Sequence, residues 1–275
     1  MPITRWAQWP TTDELDLLLD DTAVTASGKR VHFVCQKQLD AQPDDIYYEQ
    51  RIYQTGGVPT RPQHWHDLFN ALIWTLFPQT KRVINALHEK DIITHGLKAR
   101  TQSRNALTLF DECGVVLAIN EERLADLIQQ HRWQEAFVTR KSSWSSGISA
   151  FTFGHAVYES ALKPFVGWCG KALCVLVDDA FGQLSLQKQY QTLDVWLSGG
   201  LQIGLLDNNS SLTPLPILGV PGWWDENCES DFYQNLDYFR PLPQRKASNF
   251  SALVLDARTD EVVLNTRSLL VDCAV

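Results

Sequence analysis

The chain has 275 residues, 44% of them hydrophobic and 20% charged, with a formal net charge of −8. That composition supplies a substantial core and excludes a disordered chain, while the acidic balance repels phosphate backbones and anionic membrane surfaces. Nucleic acid is therefore a disfavoured partner, although Lys81, Arg82, Lys90, Lys98, Arg100 and Arg104 gather positive charge in one window.

The six cysteines are spread without a C-x-x-C pair, which points to reduced thiols and a cytoplasmic setting. The opening MPITRWAQWP lacks the basic-then-apolar layout of a signal peptide. Apolar runs such as ALIWTLF and ALCVLV are far shorter than the ~20 residues of a spanning helix, so no membrane partner is expected.

In chain order, Thr12 to Asp21 is an acidic amphipathic stretch. The alternation of Val31, Phe33 and Cys35 predicts a strand, and DDIYYEQRIYQTGG fits a helix less cleanly. Thr60 and Gln63 have capping-box spacing and Pro62 suits a first turn, which predicts a helix from Thr60 to Phe77. A second helix follows from about Gln79 to Glu89. Asp111-Glu112-Cys113-Gly114 between LTLF and VVLAI reads as a hairpin turn. Asn120 caps a helix through about Gln130, KSSWSSG is a loop, and the chain is helical again after Gly154 until Pro164. Lys171 to Asp179 is apolar enough for a buried strand or a buried helix. Tyr190 to Gln202 predicts a helix, and the turn-rich DNNSSLTPLPILGVPGWWDEN an ordered loop over the core or a site. The tail SALVLDARTDEVVLNT predicts a hairpin turning at Arg258-Thr259-Asp260.

The expected fold is α+β, a helix-rich single globular domain with short antiparallel β-hairpins packed against helices. Residues 1–58 form an N-terminal segment packed on a core spanning 59–245, and 246–275 form a C-terminal β-hairpin completing the same domain.

Several strings then coincide with one family: HWHDLFNALIWTLFP with KRVINALH, RNALTLFDECGVV, FGHAVYESALKPFVG, and PLPILGVPGWW with FYQNLDYFRP. Over about residues 60 to 241 the chain resembles the bacterial proteins of unknown function grouped as DUF3025. The resemblance implies a relative and no activity, substrate or cofactor.

Chemistry is read from the residues themselves. On the helix after Pro62, His66, Asp67 and Asn70 project to neighbouring parts of one surface, with His64 in the first turn. Histidine, carboxylate and amide within one turn can ligate a divalent metal ion or act as a base with its orienting partners. The bland alternative is a helix start bracketed by His64 around core residues. Lys81, Asn85 and His88 make a polar stripe that either meets the first helix or is a solvated face, and Lys81 is the candidate anion anchor. Asp111 and Glu112, at a hairpin turn, would point to opposite faces, so Asp111 alone is carried as a catalytic candidate, with Arg104 and Asn105 nearby as substrate contacts. Their acidity disfavours the Cys113 thiolate.

His155 and Glu159 form a second pair, either proton-transferring or structural. Trp223 and Arg240 sit in an aromatic segment that is a ligand lid, a partner surface or a plain clamp. No nucleophile elbow or phosphate-binding glycine motif is present. Two readings follow. The first is a hydrolase-like enzyme with catalytic candidates His66, Asp67, Asn70, Asp111, His155 and Glu159, substrate contacts His64, Lys81, Asn85, Arg104, Asn105, Trp223 and Arg240, and metal-ligand candidates His64, His66 and His155. The second is a non-catalytic binding or regulatory protein that uses its aromatic loops. Convergence of these groups on one concave pocket favours the first; separate clusters favour the second. A small polar ligand fits the first, and the oligomeric state is left open.

Overall fold

The computed structural model describes residues 8–41, 44–243, 251–259 and 261–268, so Cys273 and the Asp260 of the predicted last turn lie outside the described residues. At the N-terminus, α1 (Thr12–Asp16) starts at Thr11, which exchanges capping bonds with Glu14. β1 (His32–Cys35) leads into α2 (Gln36–Ala41) and α3 (Tyr48–Thr55), and β2 (Gly57–Thr60) returns parallel to β1. Leu15, Phe33, Ile52 and Val58 from these elements close a core with Leu68, Ala71 and Trp74 of α4 (Trp65–Leu76).

α4 turns directly into α5 (Pro78–His95), whose first residue is proline, where a missing N–H costs nothing. The start of α5 is fixed from outside: Asp194 accepts from the backbone N–H groups of Gln79 at 3.0 Å and Thr80 at 2.8 Å. Asp194 belongs to α10 (Leu186–Gln202), so a carboxylate from one helix satisfies orphan donors at the positive end of another.

The rest of the chain builds α6 (Gln102–Cys113), β3 (Gly114–Ile119), α7 (Glu122–Gln129), a π-helical turn at Gln134–Thr139, and a short α8 (Ser143–Ser146). β4 (Ile148–Thr152), α9 (His155–Ala161) and β5 (Cys169–Leu176) follow, then β6 (Thr213–Pro216) and the hairpin β7 (Ser251–Asp256) and β8 (Val263–Ser268). One sheet runs β4-β3-β5-β7-β8, with β6 on the other part of β5. Its centre is parallel: β3 pairs with β5 and β5 with β7, whereas β4, β6 and β8 join antiparallel.

β3 is buried along its whole length because both faces are covered, the condition under which a strand reads as one apolar run. Alternation divides its residues. Val115, Leu117 and Ile119 face Leu124, Leu127, Phe137, Tyr233 and Phe239 on one side. Val116 and Ala118 face Phe77, Leu107, Phe110, Leu193 and Leu197 on the other. Among the described residues no helix is long and apolar enough to cross a membrane.

The helix-rich α+β class is as the sequence reading has it, and the last hairpin forms where predicted. The hairpin expected around Asp111-Glu112-Cys113-Gly114 does not form. Asp111, Glu112 and Cys113 end α6, which begins at the cap Thr101 and carries Ala106, Leu107 and Phe110 on its buried face. Gly114 is extended, not a turn glycine, and a Cβ there would lie 2.5 Å from the Phe110 ring and carbonyl. The strand it opens pairs in parallel with β5, at a sequence distance no short turn spans. The capping box at Thr60 also fails: Thr60 ends β2, its hydroxyl donates to Val58 O at 2.9 Å, and the helix starts only at Trp65. Lys171 to Asp179, open between strand and helix, resolves mainly as β5.

Candidate functional site

Three segments distant in sequence meet beside the sheet: α4, the end of α6, and the start of α9. Gly154 permits the closest of these approaches. A Cβ there would stand 2.4 Å from Glu112 O and 2.5 Å from Gly114 N, so only glycine lets α9 begin against the end of α6. Phe153 and Gly154 both donate their N–H to Gly114 O, at 3.0 and 2.8 Å. His155, the next residue, is thereby delivered to Glu112.

The outcome is a polar cluster. His66 Nε2 and His155 Nε2 are 3.0 Å apart, and Glu112 Oε2 lies 3.4 Å from His155 Nε2 and 3.8 Å from His66 Nε2. The other nitrogen of His66, Nδ1, is 2.9 Å from Glu159 Oε2, one turn beyond His155 on α9. Glu159 accepts that Nδ1–H, which leaves the Nε2 electron pair directed at His155 and Glu112. The His155 ring is 4% exposed, and its Nδ1 has no hydrogen-bond partner among the described residues. Burial raises the pKa of Glu112, but the bond from His155 and the nearby imidazoles outweigh it and hold the carboxyl below its ordinary value.

This cluster opens onto a cleft of about 430 Å³ lined also by Tyr47, Tyr48, Glu49, Asp67, Asn70, His88 and Asp111. Beneath it, Lys81 Nζ donates to Asp111 Oδ1 at 2.6 Å and to Asn70 Oδ1 at 3.0 Å, and sits 5.4 Å from the Trp74 ring centre. Burial opposes ionisation of Asp111, yet the charge of Lys81 wins and holds its carboxyl below the usual range. Asn70 also donates to the Tyr48 hydroxyl at 3.1 Å. Tyr48 reaches the surface, 39% exposed as a residue. Burial first, then the charges of Glu49 and Asp111, push that hydroxyl well above its ordinary 10.0, so it remains a donor at neutral pH.

Of the sequence-named candidates, His66, Asp67, Asn70, Asp111 and His155 line the cleft and Glu159 supports it from behind His66. Asp67 is engaged by Arg61, through Nε at 2.9 Å, NH2 at 2.7 Å and the backbone N–H at 2.6 Å. The stripe Lys81, Asn85 and His88 is buried, not a solvated face. Lys81 is spent on Asp111 and Asn70 and is not available as an anion anchor, and Asn85 donates to Glu49 O and Oε2, both at 2.8 Å. His64 stands apart from the cluster, its Nδ1 3.5 Å from Asp67 Oδ1. Arg104 also borders the cleft, but it is buried and donates to the carbonyls of Leu97 and Ala99 at 3.2 and 3.0 Å. Asn105 is exposed and accepts from Arg100 Nε at 2.9 Å.

Trp223 and Arg240 lie away from the cleft, in a segment that behaves as a clamp. Tyr238 donates to Trp168 O at 2.7 Å and accepts from Leu218 N at 2.9 Å, while Asn227 donates to Leu218 O and Val220 O at 2.9 and 2.7 Å. Arg240 donates to Asp237 O at 2.9 Å and borders a separate hollow with Lys171 and Cys169. Burial, then Glu112, pushes the Cys113 thiol up, in line with its acidic sequence neighbours.

The residue the sequence reading passed over is Glu112. Read as a turn it faces away from Asp111, but on the last turn of a helix both carboxylates line the cleft. A capping threonine at 101, apolar Ala106, Leu107 and Phe110 at helical spacing and a glycine at 114 were the signals for that helix. Tyr48, Glu49 and His88 were legible as polar residues but not as neighbours.

The fold and the cleft together define a mixed-sheet α+β protein with two facing imidazoles flanked by carboxylates at the mouth of a polar hollow. The chain belongs to the DUF3025 family, described as proteins of unknown function, whose model matches residues 31–243. No curated protein and no solved structure matches it. The matched span takes in α3, and with it the cleft residues Tyr48 and Glu49.

Proposed function

We propose that this chain is a hydrolase-like enzyme that cleaves a small polar substrate in the cleft between α4, α6 and α9. The observation carrying the proposal is the meeting of His66, His155 and Glu112, drawn from three elements, at the mouth of one concave polar space. With its Nδ1–H held by Glu159, His66 presents the Nε2 electron pair to His155 Nε2 at 3.0 Å with the Glu112 carboxylate beside both, which is the arrangement of a centre that handles a proton or a cation. Such a centre activates water, and the volume of about 430 Å³ beside it suits a small molecule.

The surrounding groups have distinct parts in this reading. Glu159 orients His66. Asp111, kept ionised by Lys81, contributes fixed negative charge and no transferable proton. Tyr48 offers its hydroxyl proton to a substrate oxygen, since Asn70 already supplies the hydrogen bond that hydroxyl accepts. The spread cysteines support a cytoplasmic setting.

The test is a panel of chromogenic esters, anilides and phosphoesters assayed with the intact chain and with His66→Ala and His155→Ala. Turnover of at least one compound should fall by about 100-fold or more in each variant, within the range a positioned acid–base or metal centre supplies. A binding or regulatory protein would give no turnover, or turnover that both variants share equally.

A further inference from the structure

We propose that His66 Nε2, His155 Nε2 and Glu112 Oε2 are three ligands of a mononuclear, zinc-type divalent ion, with the fourth position facing the cleft. The inference deepens the hydrolase reading and rests on it for the ion's role, but not for the ion's binding.

The geometry is the first argument. The three atoms that approach one another are the same in every pair, at 3.0, 3.4 and 3.8 Å. A tetrahedral ion with bonds of ~2.1 Å spaces its ligands ~3.4 Å apart, so the observed distances straddle that edge. An octahedral ion with bonds of the same length spaces adjacent ligands only ~3.0 Å apart, which one of the three pairs meets. All the candidate ligand atoms lie within 4.8 Å of one another.

Donor chemistry is the second. Two imidazole nitrogens and one carboxylate oxygen suit zinc and its neighbours over magnesium or calcium, which prefer all-oxygen sets. The third argument is orientation. Glu159 accepts from His66 Nδ1 at 2.9 Å, the carboxylate–histidine arrangement that fixes the ligating tautomer and makes the ring a better ligand. Gly154 then holds His155 against the helix that carries Glu112.

Bound there, the ion polarises a water in its fourth position. The water loses a proton to solvent and the remaining hydroxide adds to the electrophilic centre of the substrate. The bond to the leaving group breaks, and that group departs with a proton returned from solvent, so the net change is consumption of one water.

The experiment uses the full chain, purified without a tag and stripped with chelator, titrated with Zn²⁺ by calorimetry and with Co²⁺ by visible absorption. The expected result is one equivalent of Zn²⁺ and intense Co²⁺ bands of a four- or five-coordinate site. Glu159→Gln should weaken binding by about 10–100-fold, and His66→Ala, His155→Ala and Glu112→Gln by more. His64→Ala should bind as the parent does, because His64 stands outside the trio. Circular dichroism and melting of each variant separate lost binding from lost folding. No Zn²⁺ uptake by the folded parent, or uptake unchanged in both His66→Ala and His155→Ala, overturns the inference. Uptake without hydrolysis of the chromogenic panel removes the hydrolase reading and leaves the ion. Histidine-dependent hydrolysis without uptake does the reverse.

Discussion

His66 and His155 stand 89 positions apart in the chain and meet Nε2 to Nε2 at 3.0 Å. Their carboxylate partners are crossed. Glu159 lies on the helix of His155 yet holds His66, and Glu112 approaches both rings from a third helix. Such a contact depends on three packing arrangements at once, so it responds to changes far from the rings as well as at them.

The His66→Ala and His155→Ala variants should lose turnover together, and the double variant should lose little more than either alone, since groups that act as a unit are not additive. His66 is partly exposed, so its removal should leave the melting transition nearly in place. Losses that simply multiply in the double variant would count against a shared centre.

The Lys81–Asp111 pair should matter to folding more than to chemistry. Lys81→Met strands a buried carboxylate and should cost about 3–5 kcal/mol in urea unfolding. A Lys81→Met, Asp111→Leu double variant should recover most of that, because an apolar pair of similar volume replaces the ions without an uncompensated charge. Equal destabilisation of single and double variants would show that the ionic contact is not what Lys81 contributes.

Gly154→Ala should separate α9 from α6. The added methyl has Glu112 O and the Gly114 and Cys113 N atoms within 2.4 to 2.6 Å, all backbone and unable to swing aside. Overpacking of this kind costs about 1–3 kcal/mol, and the accompanying shift of His155 from Glu112 should depress activity too. Gly182→Ala, which meets nothing within 4 Å, is the matched control and should change stability by no more than about 0.5 kcal/mol.

A pH effect is expected at the C-terminal hairpin. Asp256 accepts from Arg258 Nε at 2.9 Å and from Asn265 at 2.8 Å, and the Arg258 bonds foremost hold its carboxyl below its ordinary 3.8. A carboxyl depressed in the folded state contributes stability that is fully present above its unfolded value and is lost as pH falls through its folded one. Parent and Asp256→Asn should therefore differ most in chemical denaturation above about pH 5 and converge as the pH drops below 3.8. A difference that widens with acid would reverse the assignment.

Tyr238→Phe should destabilise the clamp without touching the reaction. It removes the bond to Trp168 O and leaves Leu218 N–H buried without its acceptor, a loss of about 1–3 kcal/mol. Turnover per folded molecule should match the parent, and a specific loss of activity would place this segment in the site after all.

Much of the cleft was visible along the chain as residue types. His66 with Asn70, and His155 with Glu159, follow from helical spacing, which fixes neighbours one turn apart whatever surrounds them. Glu112 was not visible in its role, because LTLF followed by an acidic pair and a glycine suits a hairpin locally as well as a helix end. The parallel strand that follows decides for the helix, and it finds its partner β5 more than fifty residues later. Lys81 was legible as a cation but not as a buried one, since its partner Asp111 comes from a different helix.

What the sequence determined by itself was therefore the inventory and the local geometry: a large apolar core, helix-rich elements with a final hairpin, and polar pairs one turn apart. The tertiary structure alone decided which of those pairs share a space. Burial of both faces of β3 fixes α6 against one of them, and the missing side chain of Gly154 lets α9 begin against the end of α6. Spacing along a helix is set by backbone hydrogen bonds between near neighbours. The meeting of His66, His155 and Glu112 is set by which apolar faces must be hidden from water together.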